Sequence, residues 1–197
     1  MTEPILLNLP EQLHTERLTL RPPRPGDGAA VNAAVLESLE GLQRWMPWSV
    51  PTPTVEQSEV WCRRAGADFL ARKQLPLLLF LRESAGEPAT FVGSSGLHRV
   101  DWEVPRFEVG YWVRRRFEGQ GYVTEAAAAI TRFAFETLGA RRVEIRTDDR
   151  NERSWRVAER LGFRLEGVLR NECRDSHGLR DTRVYAVTEP VPVEAPR

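Results

Sequence analysis

Polar and apolar positions alternate in Arg17-Leu18-Thr19-Leu20-Arg21, and Pro22-Pro23 closes the run, which predicts a first strand ending in a turn. The period then lengthens to that of a helix: Ala30, Val31, Ala34, Val35 and Leu39 recur up to Gly41, with Pro25 suited to the first turn. Pro47 and Pro51 break the segment Trp45-Met46-Pro47-Trp48-Ser49-Val50-Pro51. Thr54 is placed to cap a second helix through Val60, Trp61, Ala67 and Leu70. From Leu75 the apolar run becomes continuous. Leu77-Leu78-Leu79-Phe80-Leu81 reads as a buried strand, Ala85-Gly86-Glu87-Pro88 as a turn, and Thr90-Phe91-Val92-Gly93 as the return strand of a hairpin.

Arg106 to Val113 predicts a further strand, in which the isolated Gly110 marks a bulge or the close approach of another backbone. A helix follows with Ala126, Ile130, Phe133 and Ala134 on one face, ending at Gly139, and Arg142-Val143-Glu144-Ile145-Arg146 is again a strand. Asn151 is positioned as the N-cap of a short helix carrying Ser154, Val157, Ala158 and Leu161, which Gly162 terminates. Strands near 163–169 and 182–187 flank a polar loop, Asp175-Ser176-His177-Gly178. The order βααβββαβαββ predicts an α/β (α+β) fold, a mixed sheet of about seven strands with helices on both faces, rather than a plain dinucleotide-binding unit. One domain over residues 1–189 is expected, with the proline-rich 190–197 as a disordered tail.

At 197 residues and 41% hydrophobic content the chain can bury one good core. Lys plus Arg equals Asp plus Glu at 28 each, which argues against nucleic acid as a partner. Lys73 is the sole lysine, a bias better explained by an arginine-rich proteome than by selection for anion contacts. Cys62 and Cys173 lie far apart with no CxxC or Cys/His spacing, so neither a disulfide framework nor a metal site is expected, and a reducing cytoplasm fits. No apolar run approaches the roughly 20 residues of a membrane span, and no basic-then-apolar leader opens the chain.

The chemistry concentrates between Glu108 and Ala126. A strand leads into a charged turn, Gly119 and Gly121 let backbone N–H groups approach a ligand, and a helix begins where its unpaired N–H groups and positive dipole end face the same spot. This is an anion cradle suited to a diphosphate. The third glycine of a dinucleotide turn is missing and no Gly-Lys-Ser/Thr follows, which disfavours NAD and nucleoside triphosphates.

Arg116-Phe117-Glu118-Gly119-Gln120-Gly121 resembles the (Arg/Gln)-x-x-Gly-x-(Gly/Ala) acetyl-CoA signature of the Gcn5-related N-acetyltransferases (GNAT). Glu108-Val109-Gly110-Tyr111-Trp112, Gly121-Tyr122-Val123-Thr124-Glu125-Ala126, Asn151-Glu152-Arg153-Ser154 and Leu161-Gly162-Phe163 with Glu166-Gly167-Val168-Leu169-Arg170 are similar to the RimJ/RimL-like branch, which acetylates ribosomal-protein N-termini. Thr15-Glu16-Arg17-Leu18 and Asp181 with Val184-Tyr185 extend the likeness over nearly the whole chain.

The resemblance implies a V-shaped opening between two central parallel strands, with acetyl-CoA as cosubstrate lying in it. It assigns cofactor contacts to Trp112, Val113, Arg116, Phe117, Glu118, Gly119, Gln120, Gly121, Tyr122, Asn151 and Ser154, and an oxyanion contact to a bulge N–H near Gly110 or Tyr111. Asn151 would hold the pantetheine through its side-chain amide. Ser154 matches a serine thought to protonate the departing thiolate, the alternative being a helix-start serine bonded to backbone. For the base, Glu108 is one choice. Where relatives carry a carboxylate past the Glu166-Gly167 strand this chain has Cys173, with Glu172 adjacent, so either glutamate, or an amine needing little help, stays open. Cys173 as an acyl-accepting nucleophile is disfavoured, for no thiolate-stabilising partner is evident. Trp45 and Trp48 are the acceptor-side contacts implied, with core packing at least as good a reading for Trp61; His14, His98 and His177 read as loop or structural residues.

The acceptor implied is a protein or peptide α-amine, with a small amine or a non-catalytic acyl-CoA-binding module as alternatives; a homodimer is common among such relatives.

Overall fold

The computed structural model describes residues 3–82, 89–175 and 178–190. Along the chain lie β1 (Leu13–His14), β2 (Leu18–Arg21), α1 (Gly28–Glu37), α2 (Leu39–Trp45), α3 (Val55–Leu70), β3 (Leu75–Leu81), β4 (Phe91–Asp101), β5 (Arg106–Val113), α4 (Tyr122–Glu136), β6 (Arg142–Asp148), α5 (Glu152–Arg160), β7 (Arg164–Asp175) and β8 (Gly178–Val187). All eight strands join one sheet in the order β1-β2-β3-β4-β5-β6-β8-β7, one strand more than the sequence predicts, the addition being the two-residue β1.

Alternation along each strand sends side chains to two faces, and each face has its own helices. On one, α4 and α5 bury Ile130, Ala134, Val157 and Ala158 against Phe107, Val109, Val143, Ile145 and Tyr185. On the other, Val31, Val35 and Cys62 of α1 and α3 pack on Leu78, Phe80 and Phe91. The starts of α3 and α5 follow their predicted signals, whereas α1 opens at Gly28 and leaves Pro25 ahead of its first turn. Thr54 and Gln57 form a reciprocal capping box, and the Asn151 side chain accepts from Ser154 N.

Every neighbouring pair is antiparallel except β5 with β6. That parallel pair holds for only three positions, Arg106↔Arg142, Phe107↔Val143 and Glu108↔Glu144. Beyond them β5 stays with β4 to Val113 while β6 stays with β8 to Asp148, so the two strands part and leave a wedge.

Four further sequence expectations are corrected. The first predicted helix does not run to Gly41. It stops at Ser38, whose Oγ accepts from Arg115 N at 2.9 Å, and a separate α2 follows. The hairpin strand continues from Gly93 to Asp101, because Ser94 Oγ donates to Leu77 O and Ser95 Oγ to Gly110 O, so polar residues of modest strand propensity are tied to both neighbours. Gly110 is not a bulge. It pairs with Gly96 in unbroken register, and the irregularity lies between His98 and Asp101 of β4, where Arg99 has a φ of 44°. The loop expected from Asp175 to Gly178 is instead the closing end of a long β7–β8 hairpin, with Asp175 opposite Gly178. The turn expected at 85–88 and the tail from 191 onward lie outside the described residues, as does His177.

Candidate active site

The cradle is built as the glycine spacing predicts. After β5 the chain makes a 3-10 turn over Arg115–Phe117, and Gly119 and Gly121 take left-handed φ values of 74° and 82°. A side chain there would be strained whatever room it had. Gly121 caps α4 with no side-chain acceptor, and among the described residues no acceptor meets the N–H groups of Gly121, Tyr122 and Val123. Those groups and the positive helix end form an anion seat.

Two anchors hold the loop, one joining two of the motif segments and one lying outside every motif. At its far end Glu125 accepts from Thr15 Oγ1 at 2.5 Å, Arg17 N at 2.8 Å and Arg17 Nε at 2.6 Å, while Arg17 Nη1 donates to Gln120 O at 2.9 Å. The Arg17 guanidinium stacks 4.4 Å from the Tyr122 ring centroid, which adds a cation beside Gly121. At the near end Glu37 takes Arg114 Nε and Arg116 Nη2, each at 2.7 Å, together with Arg116 N at 3.3 Å. These contacts, led by the Arg116 hydrogen bond, pull the Glu37 carboxyl down to about 2. The Arg116 side chain therefore braces the loop through Glu37. Of the other predicted contacts, Gln120 donates to Arg116 O, Phe117 packs edge-on against Tyr122, and Glu118 pairs with Arg153 of α5 at 2.7 Å.

The wedge is lined from both walls. Strand alternation, fixed by Arg114 N donating to Val92 O, turns the main-chain groups of Tyr111 and Val113 away from β4 towards the opening. The Trp112 side chain points to the α1 face, against Phe91 and Trp48. Across the wedge, Asn151 spends its side-chain oxygen on Ser154 N at 3.2 Å, which leaves its amide N–H groups without a partner among the described residues. Tyr111 joins the walls: its hydroxyl donates to Ser154 O at 2.9 Å and lies 3.2 Å from Ser154 Oγ. With that single proton on the carbonyl, Tyr111 Oη is open to accept from the Ser154 hydroxyl. Burial pushes the Tyr111 phenol up to about 12, so it stays protonated at working pH.

Glu108, Gly110 and Trp112 alternate onto the opposite side, the face shared with α1 and α3. Glu108 lies 3.2 Å from Arg99 Nε and 3.8 Å from Arg146 Nε, yet its Oε2 is buried without a hydrogen bond. Burial is the main influence and raises its proton affinity, the two arginines opposing it. Glu172 differs. The β7 register shifts between Leu169 and Cys173, with Asn171 at a φ of 52°, and this twist brings Glu172 to Arg146 Nη2 at 2.6 Å and Thr182 Oγ1 at 2.7 Å. Cys173 Sγ–H donates to the same carboxylate at 2.8 Å. The hydrogen bonds from Cys173 and Thr182, with Arg146, hold Glu172 at about 2, which makes it a poor proton acceptor.

Trp48 is 49% exposed and 6.1 Å from Trp112, whereas Trp45 lies at the end of α2 under the Arg44 guanidinium. Trp61 is exposed on α3 and takes no part in the core. Cys62 is fully buried and its thiol is pushed up to about 12, chiefly by desolvation. An exposed-thiol reagent is therefore expected to label Cys173, slowly because Glu172 raises its thiol, and to spare Cys62 until the protein unfolds, as read by intact mass. Among the described residues no group of three or more His, Cys, Asp and Glu could hold a metal ion, and no helix is long and apolar enough to cross a membrane.

A sheet split between two strands, an anion seat at the helix following the first and a capped helix following the second define an acyl-CoA-dependent transferase. The family description "Acetyltransferase (GNAT) domain" matches residues 17–164, and the chain belongs to this family: it is an N-acetyltransferase whose acetyl donor is acetyl-CoA. YdaF of Bacillus subtilis (strain 168) is 28% identical over 156 residues, 79% of this chain and 82% of that protein. The Escherichia coli (strain K12) ribosomal-protein-serine acetyltransferase is 27% identical over 145 residues, 72% of this chain and 78% of that protein. Among solved structures, RimL, a ribosomal L7/L12 alpha-N-protein acetyltransferase in complex with coenzyme A, superposes with a TM-score of 0.84 at 20% identity, covering 91% of this chain and 99% of its own. That likeness bears on the fold.

Proposed function

We propose that the chain acetylates the N-terminal α-amine of a protein or peptide, with ribosomal proteins as the first acceptors to test. The observation that carries this reading is the α1 side of β5 beside the wedge, where Trp48 packs on Trp112 and the Glu108 carboxylate stands at the last β5–β6 pair. An aromatic edge for an extended backbone and a carboxylate for its terminal ammonium suit a peptide N-terminus. The names of two relatives, one a ribosomal-protein-serine and one a ribosomal L7/L12 alpha-N acetyltransferase, support the same acceptor class and a cytoplasmic setting.

In this reading the N–H groups from Gly119 to Val123, with Arg17, hold the diphosphate. Glycine at 119 and 121 fits such a group, because the backbone stays bare where the anion would lie. The free edge at Tyr111 and Val113 pairs with the pantetheine arm, and the Asn151 amide donates to it. When bound, acetyl-CoA supplies an activated acyl carbon and a thiol leaving group. Ser154 gives a proton to that sulfur, and Glu108 draws in the acceptor ammonium.

The test is turnover. Thiol release from acetyl-CoA is measured with peptides starting in Ser, Ala and Met, an Nα-blocked peptide with a free lysine, and a polyamine. Release is expected with free α-amines, the Ser peptide first, and none with the blocked peptide. Preference for the polyamine would replace this reading with a small-amine one.

A further inference from the structure

One group on the acceptor side has no place in the reading above. His98 stands directly opposite Glu108 in the β4–β5 register, and its ring lies across Gly110: a Cβ built on Gly110 would come 3.0 Å from His98 Cδ2 and 3.3 Å from Nε2. The missing side chain at 110 is the room that the imidazole fills. Gly110 is the second residue beyond the last β5–β6 pair, so the ring sits at the start of the wedge.

Orientation follows from a second contact. Gln74 Oε1, just before β3, lies 2.9 Å from His98 Nδ1 and accepts its N–H, so Nε2 carries the lone pair. Among the described residues Nε2 has no hydrogen-bond partner. The residue is half-buried, and desolvation lowers its proton affinity below the ordinary histidine value, leaving it neutral at pH 7. The charged groups near its position are Glu108 opposite on β5, Arg99 beside it on β4, and Glu144 and Arg146 on β6, where both arginines pair with Glu108.

We propose that His98 Nε2 is the base that takes the proton from the acceptor ammonium. The proposal rests on the reading of this face as the amine site. One N–H bond of the ammonium breaks, its electron pair stays on nitrogen as the nucleophile, and the proton forms a new bond to Nε2. Glu108 offsets the charge of the imidazolium, which then gives the proton to water and returns to its starting state. The roles thereby divide between the sheet faces, with base and acceptor on the α1 side and Ser154 on the α5 side.

His98→Asn tests this, because an asparagine amide can keep the bond to Gln74 while losing the basic nitrogen. With the Ser peptide at saturating acetyl-CoA, kcat/KM for the peptide is expected to fall roughly 10²-fold and the acidic limb of its pH profile to disappear. Acetyl-CoA Kd by calorimetry should be unchanged. Independently of turnover, NMR of the free wild-type protein should show the Nδ1–H tautomer, titrating below 6.5. A variant that keeps pace with the wild type, one that loses acetyl-CoA binding together with activity, or an Nε2–H tautomer at pH 7 overturns the proposal. A wild type that acetylates no amine in the panel sinks the underlying reading, and this step with it; a wild type that turns over beside an unimpaired variant sinks His98 alone.

Discussion

Replacing Ser154 with alanine is expected to lower kcat about 10³-fold while leaving the Kd for acetyl-CoA within about twofold, the pattern of a proton donor needed only as the thiolate departs. The geometry behind this expectation is the Tyr111 bridge. A phenol pinned by its donation to Ser154 O offers the serine hydroxyl an acceptor, and burial keeps it from ionising. Ser154 is also locked from the backbone side, since its N–H is met by Asn151 Oδ1 and Asn151 O. The side chain is therefore not consumed by helix capping, which was the competing explanation for a serine here. Tyr111→Phe provides the control: it frees the hydroxyl rotor without removing the acid and should cost about tenfold in kcat with unchanged affinity. If Ser154→Ala turned over like the wild type at saturating substrates, or if it lost acetyl-CoA, the assignment of Ser154 as the acid would fall.

How far these parts could be read from the chain depends on the range of the interaction. Gly119 and Gly121 were legible because a left-handed φ needs glycine and the need is local. Asn151 and Thr54 were legible for the same reason, a cap being decided within three residues. The wedge was reached only through resemblance, since no local pattern tells that β5 and β6 pair at three positions and then part. At Gly110 a strand glycine signals either a bulge or a close approach of another backbone; the register is unbroken, and what approaches is the His98 side chain of the neighbouring β4. Glu172 was ambiguous under strict alternation, and the β7 irregularity at Asn171 that turns it towards Arg146 has no sequence signature strong enough to foresee. Glu37 and Ser38 carry no sequence signal, and Arg17 enters only as part of a likeness with no role attached, because each acts on the cradle from 77 or more residues away in sequence.

Glu37→Gln is expected to destabilise the fold by about 2–3 kcal/mol at pH 7 and to raise the Kd for acetyl-CoA about tenfold, although Glu37 belongs to no signature motif. Arg114 is largely buried, at 16% exposure, and its guanidinium loses its carboxylate partner in the variant, a loss of several kcal/mol when fully buried. Arg116 is 55% exposed, so its share is small once solvent screening is counted. The effect on binding comes through the backbone: Glu37 also accepts from Arg116 N, and with Ser38 it fixes the start of the turn whose later N–H groups are proposed to hold the diphosphate. The pH dependence has a definite sign. The folded carboxyl is held at about 2 against 4.5 in the open chain, so the stabilisation is complete above 4.5 and is lost as pH falls towards 2. Urea unfolding of wild type and variant should therefore show a gap that is full at pH 7, narrowed at pH 3 and nearly closed at pH 2. A gap that stayed constant across that range would mean that the carboxylate charge is not what holds the turn.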